Sequence, residues 1–107
     1  MDEKLTQIEE KYERLTAQMN DPDIYSDAAR YAELAREQKS LEDVVEAWRE
    51  VRRLKASAAE ARALLESETD PELRTLAREE EQGLEAALPE AELALKKLLL
   101  PKDPNDG

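Results

Sequence analysis

The side chains in this sequence with the types and spacing for chemistry are all charged. They are the carboxylates Asp2-Glu3, Glu9-Glu10 and Glu79-Glu80-Glu81, and the cations Arg49, Arg52, Arg53 and Lys55. Paired carboxylates can act as general acid and base, or can hold a metal inside a helical bundle. The metal bundle needs inward-facing glutamates, typically supported by Glu-x-x-His, and the chain has no histidine. These acids are therefore expected to be solvated faces braced by i,i+4 partners such as Glu10 with Arg14 and Glu92 with Lys96, each pair worth about 0.2–0.5 kcal/mol. Without cysteine there is no thiol nucleophile, disulfide or thiolate ligand, and the two glycines, Gly83 and Gly107, are too few and too far apart for a phosphate-cradling loop. No catalytic, cofactor-binding or metal residue is assigned, no cofactor is expected, and the stretch is expected not to be an enzyme by itself.

The basic cluster has two readings. Arg49, Arg52, Arg53 and Lys55 can dock against phosphate or an acidic protein, or can form a charged helix face paired with the acids at 79–85; the second is preferred. Trp48 falls on an apolar stripe, which favours a core anchor over a recognition residue. A formal net charge of -11 argues against non-specific nucleic-acid binding over most of the surface.

The elements that position these groups are helices. Charged residues make up 40% of the chain and aromatics 4%, so a large globular core is excluded and the turn chemistry of a sheet protein is nearly missing. Leu5, Ile8, Tyr12, Leu15 and Met19 alternate three- and four-residue steps and predict a first helix, stopped by Asn20-Asp21-Pro22-Asp23. Ser26 or Asp27 can cap a second helix that meets no proline or glycine before Pro71, about 40 residues and about 60 Å long. Its stripe runs through Tyr31, Leu34, Leu41, Val44, Val45, Trp48, Val51, Leu54, Ala58, Ala61 and Leu65, with Gln38 as a polar member. The 48, 51, 54 spacing breaks the heptad and predicts a local change of supercoiling. Asp70-Pro71-Glu72 then starts a third helix: N-cap, preset first position, and a carboxylate at the positive end of the dipole. It continues through Leu73, Leu76, Ala77, Leu84, Leu88, Ala91, Leu95 and Leu98, with Pro89 predicted to kink it near 86–88.

Short connections predict an all-α fold. Helices 2 and 3 form a long antiparallel hairpin with the shorter helix 1 packed on it, a thin three-helix bundle in which part of the apolar stripe stays open to a partner or to weak self-association. Residues 1–99 are expected to be the helical domain. Pro101 and Pro104 bias Leu100 and Asp103 away from the helical region, so residues 100–107 read as the start of an extended interdomain linker leading into further domains.

Asp21-Pro22-Asp23, Ser26-Asp27, Arg30-Tyr31-Ala32-Glu33-Leu34, Val45-Glu46-Ala47-Trp48-Arg49-Glu50, Asp70-Pro71-Glu72-Leu73-Arg74 and above all Leu98-Leu99-Leu100-Pro101-Lys102-Asp103-Pro104-Asn105-Asp106 occur in an order and spacing that resembles, along the whole chain, the N-terminal helical domain of the bacterial peptide chain release factor 1 family. The resemblance implies a part of a translation termination factor that acts at UAG and UAA stop codons. Its partners would be the ribosome, at the stalk base of the large subunit, and the remaining release-factor domains, which join it through Pro101 to Asp106. The family's Gly-Gly-Gln and Pro-x-Thr motifs are missing from this chain, so no catalytic or codon-reading residue is carried over.

Two other readings remain: a free-standing coiled-coil scaffold, and the helical arm of a tRNA-binding protein, for which only the 49–55 cluster offers a basic face. No apolar run approaches the roughly 18 residues that span a bilayer, and the acids in the first twenty residues do not suit a secretory signal, so a cytoplasmic location and no membrane partner are expected.

Overall fold

The computed structural model describes residues 2–101 of the chain. The element order is α1 (Asp2–Met19), a short 3-10 helix η1 (Pro22–Ser26), α2 (Ala28–Ser67) and α3 (Pro71–Leu99), with no strand among the described residues. The all-α expectation holds, and the helix boundaries fall where the capping residues put them.

The chain divides into two compact units, Met1–Glu46 and Ala47–Gly107. In the first, α1 packs against the opening part of α2. Leu5, Leu15, Leu34 and Val45 are buried, Lys11 Nζ lies 3.0 Å from Glu37 Oε1, and Gln38 donates to the Thr16 hydroxyl at 2.7 Å. In the second, α3 returns antiparallel along the rest of α2, with Arg62 meeting Glu81 and Glu85 and with Trp48, Val51, Leu54, Ala58, Ala61, Ala77 and Leu95 buried. Ala58 and Ala61 carry the small-residue part of the seam; Ala56, Ala59 and Ala63 face solvent.

The α1–α2 connection holds an element that periodicity does not reveal. Asp21 accepts from the Asp23 N–H at 3.0 Å, Pro22 opens a single 3-10 turn, and the Ser26 hydroxyl donates to the Asp23 carbonyl at 2.9 Å. Ser26 is thereby occupied inside η1. Asp27 is the cap of α2, its Oδ1 accepting from the Arg30 N–H at 3.0 Å.

At the other turn Asp70 accepts from the Glu72 N–H at 3.0 Å, with Pro71 in the first turn of α3. A side chain from α3 also completes the end of α2. The last carbonyls of a helix have no partner of their own. Here Arg74 Nη1 donates to the Leu65 carbonyl, and to that of Glu68 at 3.1 Å, while the Glu68 N–H donates to the Leu64 carbonyl. The α3 helix runs unbroken through Pro89 and ends with Lys96 and Lys97 in its last turn, where cations suit the dipole. Leu100 is extended (φ -71, ψ 142), as the following proline requires. Most of the expected linker, 102–107 with Asp103, lies outside the described residues.

Three parts of the apolar reading need correction. Leu73, Leu76 and Leu98 are 44%, 60% and 43% exposed, so the seam of α3 is narrower than its leucine count. Tyr31 is also exposed. Conversely Glu9, expected on a solvated face, is buried one turn from Leu5. It sits four residues after a core leucine, the spacing that places two side chains on one helical face.

Candidate interaction surfaces

The basic cluster is built by one exposed stretch of α2. Arg53 forms a two-pronged pair with Glu50 on its own helix, Nη2 to Oε1 at 2.6 Å and Nε to Oε2 at 3.0 Å. Hydrogen bonding from Arg53 holds the Glu50 carboxyl below its usual range, and the same contact raises the Arg53 guanidinium. The Arg52 guanidinium lies over the Trp48 ring, 5.2 Å from its centroid. On α3, Glu81 and Glu85 meet Arg62: its Nε lies 3.3 Å from Glu81 Oε2 and its Nη2 lies 3.4 Å from Glu85 Oε1. Arg62 stands three turns further along α2 than the cluster's centre, a register offset set by the turn at 68–70 that composition does not disclose.

Trp48 is buried, as an anchor on the apolar stripe should be, and its Nε1 finds no acceptor among the described residues. Ion pairs elsewhere include Arg30–Glu33 and Lys39–Glu42, which pair at i,i+3 along α2. The Glu42 carboxylate raises the Lys39 ammonium through a side-chain hydrogen bond. Asp2 and Glu3 stand exposed in the first turn of α1.

Two open clefts lie at helix turns. One, about 350 Å³, is lined by Ile24, Tyr25, Ala28 and Tyr31. The other, about 410 Å³, is lined by Pro71, Glu72, Thr75, Leu76 and Glu79. Exposed apolar side chains gathered in this way are surfaces for a partner more often than reaction centres. Among the described residues no group of three or more His, Cys, Asp or Glu is placed to hold a metal, and no helix is long and apolar enough to cross a membrane.

Each unit is helical, α1 with the opening part of α2 in one and the rest of α2 with α3 in the other, and the exposed features are charged faces and apolar turns. Residues 8–107 match the PCRF domain family, and the chain belongs to that family. It is 47% identical over 106 residues to a protein of Acidobacterium capsulatum named peptide chain release factor 1, the match covering 99% of this chain and 29% of that protein. It is 43% identical over 106 residues to the protein of that name from Myxococcus xanthus, covering 99% of this chain and 29% of the relative. The Lysinibacillus sphaericus protein of that name is 39% identical over 107 residues, covering the whole chain and 30% of the relative. The chain therefore spans slightly under a third of the length of the curated relatives it matches. No solved structure matches it.

Proposed function

We propose that the chain is the ribosome-docking helical domain of a peptide chain release factor that terminates translation at UAG and UAA codons. The observation that carries this reading is similarity running the full length of the chain to proteins named peptide chain release factor 1. In this reading residues 1–99 are the docking domain, 100–107 begin the joint to the codon-reading and catalytic body, and the factor works in the cytoplasm. The partner is the stalk base of the large subunit. The net charge of -11 favours the protein side of that region over bare RNA.

Catalysis is assigned to the rest of the factor, because peptidyl-tRNA hydrolysis needs a positioned water and residues 1–107 contain no Gly-Gly-Gln to hold it. A release assay on ribosomes programmed with each stop codon tests the reading. Residues 1–107 alone should release no peptide. The complete polypeptide carrying them should release at UAA and UAG and not at UGA. Release by residues 1–107 alone, or no release by the complete polypeptide at UAA and UAG, would contradict it.

A further inference from the structure

Tyr25 and Tyr31 are large aromatic side chains that the fold leaves in water, 75% and 40% exposed. With Ile24 and Ala28 they line the cleft of about 350 Å³ at the α1–α2 turn. Two nearby ties hold this turn in place: the Asp21 cap on η1, and the Asp27 cap on α2. The cleft is thus set by two capped elements, and a partner would lose little by ordering it further.

Acids lie beside it: Ile24 also borders a second cavity, of about 400 Å³, whose lining includes Asp21, Asp23 and Asp27 together with Arg30. Between residues 20 and 35 these three carboxylates and Glu33 face one cation, Arg30, whose Nη1 already lies 3.2 Å from Glu33 Oε2. Such a setting repels phosphate and attracts ammonium or guanidinium groups, and the faces of tyrosine rings do the same. The cleft at the α2–α3 turn has acids as well, but only Leu76 and Pro71 as its apolar lining, with no aromatic ring.

We infer that the Ile24–Tyr31 cleft is a docking surface for a lysine- or arginine-bearing segment of a partner protein. The segment's apolar stems lie against Tyr25 and Tyr31, and its charged heads meet Asp21, Asp23 and Asp27. Tyrosine is among the residue types enriched where a few side chains carry most of an interface's affinity. The inference does not depend on the termination reading, because it concerns the chemistry of the occupant and is tested without ribosomes.

The test is an NMR titration of the ¹⁵N-labelled chain with the peptide acetyl-Lys-Leu-Lys-Pro-Lys-amide, and in parallel with an oligouridylate. The peptide should give saturable shift changes confined to residues 21–34. Tyr25→Ser and Asp23→Asn should each weaken binding about fivefold. Both positions are exposed, and unchanged helical circular dichroism would show that the variants fold. Peptide shifts spread equally over the acids at 72–85, affinity unchanged by Tyr25→Ser, or binding of oligouridylate at 21–34 would each overturn the inference.

Discussion

Gln38 Nε2 donates to Thr16 Oγ1 across 2.7 Å, and the same hydroxyl donates to the Tyr12 carbonyl at 3.0 Å, so a two-bond relay ties α2 to the backbone of α1. Gln38 is the polar member of an otherwise apolar stripe, and this bond explains why it is tolerated there. Replacing Thr16 by Val leaves the half-buried Gln38 amide without its acceptor and should cost about 1–3 kcal/mol in urea unfolding. Adding Gln38→Leu should recover part of that loss, because removing both partners is cheaper than orphaning one. Additive losses in the double variant would show that the bond contributes nothing.

Leu34 and Leu76 separate buried from exposed leucine within one chain, 1% against 60% exposed. Leu34→Ala should destabilise by about 2–5 kcal/mol, the range for a buried leucine that leaves a cavity. Leu76→Ala should stay within about 0.5 kcal/mol of the parent. Equal losses by chemical denaturation would mean that Leu76 is packed.

Gly83 sits inside α3, and a Cβ there would meet nothing within 4 Å. Gly83→Ala should therefore stabilise the helix by about 0.5–1 kcal/mol through the smaller entropy loss of alanine. A thermal melt that moves down would contradict this.

Arg74 closes the C-terminal end of α2 from the next helix. Arg74→Met keeps the apolar stem and removes the donors, and should cost about 1.5–3 kcal/mol, the range for hydrogen bonds from a charged group. Hydrogen exchange should speed up first at residues 64–68. Unchanged exchange there would remove the capping role.

Glu50 titrates below its usual range because Arg53 hydrogen-bonds its charged form. A carboxyl whose folded value is depressed contributes stability above its unfolded value and loses that contribution as pH falls through the folded one. Arg53→Gln should move the Glu50 titration, followed by NMR, back up toward the ordinary carboxylate range. No movement would mean that the pair does not persist in solution.

The three long helices were legible because local rules decide them: alternating three- and four-residue steps for α1, and an Asp-Pro-Glu start for α3. What was hidden depended on register between helices. Arg62 meets Glu81 and Glu85, because the length of the turn at 68–70 fixes which turn of α2 faces which turn of α3. Leu73 and Leu76 carry the right period but stand where α3 leaves them in solvent, and Glu9 breaks the polar pattern by sharing the face of Leu5. The Ile24–Tyr31 cleft was hidden for a different reason. A single 3-10 turn has no hydrophobic period, so Tyr25 registers in the sequence only as composition, while Tyr31 carries the period of α2 and still stands exposed.

The account rests on the chain being one domain of a longer termination factor, and the coding sequence beyond codon 107 tests that most directly. The account predicts an open frame that goes on to encode Gly-Gly-Gln in a later domain. A stop codon immediately after codon 107 would contradict it.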